Sequence, residues 1–162
     1  MSWRDVPGWL EEYEAAALQE LARDKDVLEI GSYCGRSTLA LAETARLVFA
    51  LDWHLGDADV GSRDTVQDFL TNIAPVRHKV CLLMGRVEDV GPKLAGPFGM
   101  VFIDGSHRRE QVVHDTKLAL RVCDGVIVWH DVGVKGIKMA LEELAISPDS
   151  YSGRNLAWKV VH

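Results

Sequence analysis

Two short apolar runs of the chain are each followed closely by an aspartate and a histidine. The first reads MVFIDGSH and places His107 three residues after Asp104, and the second reads VIVWHD and places His130 directly before Asp131. Two carboxylates can share a hard cation such as Mg²⁺, which polarises a bound hydroxyl group. A neutral imidazole can remove a proton from such a hydroxyl. These residue types therefore predict proton transfer from an acceptor, with Asp104 and His107 as catalytic candidates.

A structural interpretation of the same residues stays open at this stage. Each aspartate precedes a predicted helix, so Asp104 and Asp131 can cap helices instead of binding a metal ion. His107 falls in the first turn of the next predicted helix, where an exposed histidine needs no function. The sequence alone does not choose between the two interpretations.

A glycine-containing segment, VLEIGSYCGRST, joins an apolar run to a predicted helix. Gly31 and Gly35 form G-x-x-x-G, and the G-x-G-x-x-G pattern that accommodates a dinucleotide pyrophosphate is absent, which disfavours NAD. Asp52 ends the next apolar run, where a carboxylate can accept hydrogen bonds from both ribose hydroxyls of a cofactor. Ser37 and Thr38 are predicted either to donate to a carboxylate of the cofactor or to cap the helix.

These residues need a scaffold, and the apolar pattern predicts one. Short apolar runs predict strands at 27–30, 47–51, 80–83, 100–103, 126–129 and 155–161. Stripes at helical spacing predict helices at 10–21, 39–45, 66–73 (opening at Ser62), 112–123 and 137–144. Strands buried on both faces and separated by helices predict a doubly wound α/β fold, with a mostly parallel sheet and helices on both faces. Neighbouring strands then bring Asp104 and Asp131 together at the mouth of the cleft.

Composition limits the partners of the chain. Its 162 residues, 48% hydrophobic and 26% charged, predict a single domain over 1–162. The net charge of -6 disfavours nucleic acid and anionic membranes as partners, and no apolar run approaches the ~18 residues of a membrane span. Three cysteines without a C-x-x-C pair indicate reduced thiols and a cytoplasmic location.

The pattern E-x-G-x-x-x-G, formed by Glu29, Gly31 and Gly35, resembles the first motif of class I S-adenosylmethionine-dependent methyltransferases. The strings IDGSH and HD resemble the branch that contains macrolide-sugar O-methyltransferases and cephalosporin-hydroxylase-like proteins. The resemblance spans about 27–131 and implies a Rossmann-like methyltransferase fold. It also implies S-adenosylmethionine binding by the loop from Glu29 to Ser37 and by Asp52, a metal ion at Asp104 and Asp131, and a general base at His107.

The chain departs from this branch in two places. Metal-dependent members often carry an acidic or amide ligand where this chain has His130, and imidazole suits Mg²⁺ less well than oxygen does. His130 is nevertheless predicted as the third ligand beside Asp104 and Asp131. Only about thirty residues follow Asp131, where relatives have lids and a final strand pair, so a shortened C-terminus and a sparse acceptor site are expected.

Some polar and aromatic residues are weaker candidates. Trp53 and Trp129 are predicted either to stack on a ligand at the cleft or to belong to the core. A basic group at the same edge is expected either to hold an anionic acceptor or to be a solvated charge run, and it comprises Arg108, Arg109 and Lys135. The remaining histidines are expected on loops or at exposed helix and strand ends, without a role, and they are His54, His78, His114 and His162.

We therefore predict an S-adenosylmethionine-dependent methyltransferase that acts on a small-molecule acceptor, at oxygen in the first instance, with Mg²⁺ assistance. One alternative is a cofactor-binding module or subunit without chemistry of its own, suggested by the sparse acceptor site. The other is an NAD-type oxidoreductase, which the missing third glycine disfavours. A homo-oligomer is expected if a second subunit closes the open cleft.

Overall fold

The computed structural model describes residues 2–56 and 61–162. Strands in these ranges form one sheet: β1 (Asp26–Ile30), β2 (Leu47–Asp52), β3 (Val80–Met84), β4 (Phe98–Ile103), β5 (Cys123–Trp129), β6 (Ser150–Ser152) and β7 (Leu156–Val160). Their order across the sheet is β3-β2-β1-β4-β5-β7-β6. Strands β1 to β5 are parallel, whereas β7 pairs antiparallel with both β5 and β6. The predicted doubly wound, mostly parallel sheet is confirmed.

Helices connect the strands on both faces of the sheet. They are α1 (Glu12–Ala22), α2 (Arg36–Ala42), α3 (Val66–Asn72), α4 (Val87–Val90), α5 (Arg109–Val122) and α6 (Lys135–Glu143). Short 3-10 turns cover Trp3–Asp5, Ala74–Lys79 and Gly91–Lys93. In this part of the chain no helix is both long and apolar enough to cross a membrane.

The start predicted for α3 is wrong. The helix begins after Thr65 instead of at Ser62. The backbone N–H of Thr65 donates to the carbonyl of His54 at 3.0 Å, and the Thr65 hydroxyl lies 2.9 Å from His54 Nδ1. These two contacts fix the chain at Thr65, so the helix starts there.

Two apolar layers sandwich the sheet because successive side chains of a strand point to opposite faces. Met100 and Phe102 of β4 belong to the layer that contains Leu18 of α1. Val101 and Ile103 of the same strand belong to the opposite layer, which contains residues of α5 and α6. Strand β4 is therefore buried on both faces, as the continuous apolar run predicts.

The carboxyl ends of the central strands are level with one another. Ile30 of β1 pairs with Ile103 of β4, and Ile103 pairs with Trp129 of β5. The residues that follow these three positions, Gly31, Asp104 and His130, therefore emerge at the same edge. Strand β1 leads to β2 on one side and has β4 on the other, so this edge is the switch point where doubly wound sheets bind ligands.

The final strand pair expected only in longer relatives is present here. The residues after Asp131 contain α6 and the antiparallel pair β6 and β7. The residues after Asp131 therefore add two strands to the sheet.

Candidate functional site

The glycine loop after β1 requires glycine at two positions. Gly31 has φ +92°, and a Cβ atom there would lie 2.5 Å from the carbonyl oxygen of Asp104 and 2.6 Å from the Cα of Gly105. Gly35 has φ +90° and caps the start of α2. Only glycine adopts such angles without strain. The loop therefore lies in direct backbone contact with the segment that follows β4.

Asp52, at the end of β2, organises this loop. Its Oδ2 accepts hydrogen bonds from the backbone N–H groups of Ser32 at 2.7 Å and Tyr33 at 2.8 Å. Its Oδ1 accepts from the N–H of His54 at 2.7 Å. A carboxylate has about four acceptor positions, so about one remains for a ligand. Asp52 therefore has room for a hydrogen bond from one ribose hydroxyl, whereas the sequence analysis predicts two.

Glu29 and Ser37 form a brace beneath the loop. Glu29 is fully buried, and its two carboxyl oxygens accept hydrogen bonds from the hydroxyls of Ser37 and Thr38, each at 2.5 Å. Burial, only partly offset by these hydroxyls, raises the pKa of Glu29 to about 8. Because both hydroxyls donate to Glu29, neither caps α2.

Ser32 is a polar group that the sequence analysis missed. Its side chain is buried, and within the described chain its Oγ has no hydrogen-bond partner. A buried hydroxyl usually finds a partner. Since Ser32 lies in the loop between Gly31 and Gly35, this hydroxyl is available to a polar group bound there.

Asp104, His130 and Asp131 meet at the neighbouring strand ends, as predicted. His130 Nδ1 lies 3.1 Å from Asp104 Oδ1 and 3.1 Å from Asp131 Oδ2. These three residues form the group in the described chain whose ligand atoms are close enough to hold one metal ion. Among the described residues, neither ring nitrogen of His130 has a partner aligned for a hydrogen bond, so the contacts with Asp104 and Asp131 are ionic.

The helix-cap interpretation of the two aspartates is wrong. Helix α5 begins at Arg109 and is preceded by Arg108 at the N-cap position, and α6 is preceded by Val134. Asp104 and Asp131 therefore cap neither helix. His107 likewise lies in the loop before α5 and not in its first turn.

His107 is oriented by Asp131. His107 Nε2 lies 2.9 Å from Asp131 Oδ2, within hydrogen-bond distance. Asp131 has φ +52°, a left-handed conformation that few non-glycine residues adopt. The backbone behind His107 is also tightly packed, because a Cβ on Gly136 would lie 2.0 Å from the His107 carbonyl oxygen.

Carboxylates dominate the electrostatics of this edge. Burial acts to lower the pKa of His130, but the attraction of Asp104 and contacts with Asp131 and Glu14 raise it to about 12. Burial acts to raise the pKa of Glu14, but contacts with His130 and with the backbone of Glu11 together outweigh it and lower the pKa to about 2. Burial raises the pKa of Asp104, whereas contact with His130 lowers that of Asp131. The edge therefore strongly attracts positive charge.

The weaker candidates among the aromatic and basic residues differ in their surroundings. Trp129 belongs to the core, where its Nε1–H donates to the Thr116 hydroxyl at 3.0 Å. Trp53 is partly exposed, with the guanidinium of Arg86 4.9 Å from its ring centroid. Arg109 pairs with Glu143 at 2.7 Å, which favours a solvated charge group over an anion site.

His54 lies in a loop after β2, as predicted. The side chain is buried, because its ring packs against Phe69 at a centroid distance of 4.9 Å. His54 follows Asp52 by two residues and supports the loop that precedes α3.

Comparison with known proteins assigns this arrangement to a family. The family described as a methyltransferase domain matches residues 28–132, which include the glycine loop, Asp52 and all three candidate metal ligands. A probable cobalt-precorrin-6B C(15)-methyltransferase (decarboxylating) from Methanocaldococcus jannaschii is 31% identical over 111 residues. That match covers 67% of this chain and 55% of the relative, so the chain spans about half of the relative's length.

Solved structures share the fold. Cofactor-bound Rv0187 from MTB has a TM-score of 0.78 at 24% identity, covering 97% of this chain and 84% of that one. The O-methyltransferase TomG from Streptomyces achromogenes, in complex with SAM, has a TM-score of 0.72 at 20% identity, covering 94% and 81%. The O-methyltransferase from Bacillus cereus, in complex with SAH, has a TM-score of 0.74 at 20% identity, covering 98% and 86%.

Proposed function

Because the chain belongs to the methyltransferase-domain family, we propose that it is an S-adenosylmethionine-dependent methyltransferase that methylates a hydroxyl group of a small molecule. One observation carries the proposal. Gly31 of the glycine loop lies against the backbone of Asp104 and Gly105. A cofactor held by the loop would therefore lie next to the carboxylates and His107.

The cofactor is proposed to bind along the glycine loop. Gly31 and Gly35 let the ligand approach the backbone, and the buried Ser32 hydroxyl supplies a hydrogen bond that the protein leaves unused. Asp52 accepts from one ribose hydroxyl. Glu29 and Ser37 act from beneath the loop as its brace. The bound cofactor supplies an electrophilic methyl group, so the protein mainly needs to align the acceptor with it.

A divalent cation such as Mg²⁺ fits the strand ends. His130 Nδ1 is a buried nitrogen without a hydrogen-bond partner in the described chain. It lies 3.1 Å from both Asp104 Oδ1 and Asp131 Oδ2, so these three atoms would hold a divalent cation together. We propose Asp104, His130 and Asp131 as the ligands. The ion would make an acceptor hydroxyl more acidic.

His107 is proposed as the general base. Its Nε2 lies 2.9 Å from Asp131 Oδ2, and this contact orients the ring. The imidazole would accept the O–H proton of the acceptor as the acceptor oxygen takes the methyl group, which a bound cofactor would supply. Asp131 then stabilises the imidazolium that forms.

A second acceptor class has one observation in its favour. The Methanocaldococcus jannaschii relative is described as a C(15)-methyltransferase (decarboxylating), so a carbon atom is the alternative acceptor. The position of His107 suits O–H deprotonation and favours oxygen. NMR of a product carrying a ¹³C-methyl group separates the two, since O-methyl and C-methyl carbons have different chemical shifts.

Location and assembly follow as proposals from the same features. The free thiols of Cys34, Cys81 and Cys123 support a cytoplasmic protein. The net charge of -6 supports a small-molecule partner over nucleic acid. We also propose one domain over 1–162 and a homo-oligomer in which a second subunit covers the cleft.

Labelled methyl transfer tests the proposed function. The purified protein is incubated with methyl-labelled S-adenosylmethionine, Mg²⁺ and a panel of small hydroxyl compounds, and S-adenosylhomocysteine is quantified by mass spectrometry. His78→Ala is the matched control for His107→Ala because His78 is an exposed histidine remote in sequence from the strand ends. Acceptor-dependent product in the wild type and control, but not in His107→Ala, supports the proposal. Binding of S-adenosylhomocysteine without turnover on any acceptor favours the non-catalytic alternative.

The metal requirement is tested separately with a chelator. Turnover is expected to stop on addition of the chelator and to return with Mg²⁺ or Mn²⁺. Turnover that persists in chelator would remove the metal from the mechanism and leave His107 as the sole activating group.

A further inference from the structure

Helix α1 places a buried glutamate against the ring of His130. Glu14 Oε2 lies 3.3 Å from His130 Nε2, and the two side chains are only 1% and 3% exposed. The other ring nitrogen, Nδ1, is the one that lies 3.1 Å from both Asp104 and Asp131. One carboxylate therefore holds the interior side of the imidazole, and two carboxylates flank its cleft side.

Glu14 is itself held in place. Its Oε2 accepts from the backbone N–H of Glu11 at 2.8 Å, and its Oε1 accepts from the Tyr13 hydroxyl at 3.1 Å. A buried carboxylate is costly unless it is paired and hydrogen-bonded, and these contacts satisfy that requirement. The orientation of Glu14 toward His130 is therefore built into the packing of α1.

A carboxylate behind a histidine has a known effect on metal ligation. It accepts the N–H of the ring nitrogen that does not bind the metal, which fixes the tautomer and the ring orientation. In this chain Glu14 contacts Nε2 of His130 at 3.3 Å, so Nδ1, the nitrogen beside Asp104 and Asp131, is the one that would bind a metal ion in place of its proton.

We propose that Glu14 is a positioning residue that holds His130 Nε2 and so directs Nδ1 toward the metal site formed with Asp104 and Asp131. The inference rests on the metal site of the proposed function. It assigns the N-terminal helix a direct part in building that site, although α1 contributes no metal ligand.

Mn²⁺ binding tests this role without any methyl acceptor. Titration calorimetry compares the wild type, Glu14→Gln and Glu12→Gln. Glu12 is the matched control because it lies on the same helix, is exposed and pairs with Arg4. Glu14→Gln is expected to weaken Mn²⁺ affinity by about 10–100-fold, the usual effect of losing such a partner, while Glu12→Gln leaves it unchanged. Wild-type Mn²⁺ affinity in Glu14→Gln would overturn the proposal.

A double variant shows whether Glu14 acts through His130. In the His130→Asn background, Glu14→Gln should cause no further loss of Mn²⁺ affinity, because the ring that Glu14 orients is gone. A full additional loss in that background would contradict the positioning role. If Glu14→Gln does not fold, Glu14→Asp, which shortens the side chain but keeps its charge, takes its place in both comparisons.

A spectroscopic readout separates failure of the inference from failure of the metal site. Proton–nitrogen correlation spectra of ¹⁵N-labelled protein report the ring nitrogens of His130, and Glu14→Gln should shift the Nε2 signal whereas Glu12→Gln should not. A shifted signal in a protein whose wild type binds no Mn²⁺ shows that Glu14 holds the His130 ring, but it overturns the metal-directed role and removes the metal from the proposed function. An unchanged signal with equal Mn²⁺ affinities overturns the inference and leaves the proposed function standing.

Discussion

Replacing Gly31 by alanine tests the contact that joins the cofactor loop to the carboxylate edge. At φ +92° a side chain costs roughly 1–2 kcal/mol. The added Cβ would also lie 2.5 Å from the Asp104 carbonyl oxygen and 2.6 Å from the Gly105 Cα. Both neighbours are backbone atoms that no rotamer change can move away, so overpacking adds about 1–3 kcal/mol. Gly31→Ala is therefore expected to lower the free energy of unfolding by about 2–5 kcal/mol.

Gly61→Ala is the matched control for this experiment. Gly61 has a similar φ of +78°, but its Cβ position has no described atom within 4 Å, so only the backbone cost of about 1–2 kcal/mol applies. Urea unfolding measures both variants, and calorimetry measures their affinity for S-adenosylhomocysteine. Gly31→Ala should also lose affinity, because any shift of the loop breaks the bonds from Ser32 and Tyr33 to Asp52. If both variants have the same free energy of unfolding and Gly31→Ala binds S-adenosylhomocysteine with wild-type affinity, the proposed importance of the Gly31 contact is wrong.

Three further predictions concern His107, the backbone contact between Gly136 and His107, and the buried side chain of Glu29. His107→Ala should lower turnover about 10²–10⁴-fold at unchanged S-adenosylhomocysteine affinity, and steady-state kinetics showing full turnover would exclude it as the base. Gly136→Ala should also lower turnover, because its Cβ would lie 2.0 Å from the His107 carbonyl oxygen; Gly133→Ala, whose nearest neighbour is 3.7 Å away, should not. The raised pKa of Glu29, about 8, means that its ionisation opposes folding, so the stability of the wild type should fall relative to Glu29→Gln as pH rises from about 5 to 8. Urea unfolding of both proteins across that pH range measures the difference in their free energies of unfolding. A difference that stays constant with pH would contradict the prediction.

The fold was predictable because its strands are buried on both faces. Runs such as Met100–Ile103 appear in the sequence as unbroken apolar segments bounded by glycine or acid. The short edge strand Ser150–Ser152 carries no such signal, since it is a three-residue segment with an exposed tyrosine at its centre. Its place in the sheet depends on pairing with β7, which is a tertiary interaction.

The site was predictable where its residues follow strands. Asp104, His130 and Asp131 could be located because parallel strands end at one edge. Glu14 could not, because a glutamate on an amphipathic helix indicates the solvent-facing side. Its burial depends on His130, which lies more than a hundred residues further along the chain. The local sequence pattern around Glu14 contains no information about its contact with His130.

The central claim is that the glycine loop and Asp52 hold S-adenosylmethionine beside the carboxylate edge. Titration calorimetry with S-adenosylhomocysteine, on the wild type and on Asp52→Ala, tests it most directly. We expect the wild type to bind one molecule of S-adenosylhomocysteine per chain and to give no heat with NAD. Asp52→Ala should bind S-adenosylhomocysteine more weakly, because a ribose hydroxyl loses its acceptor. Absence of binding to the wild type, or identical affinity in Asp52→Ala, would contradict it.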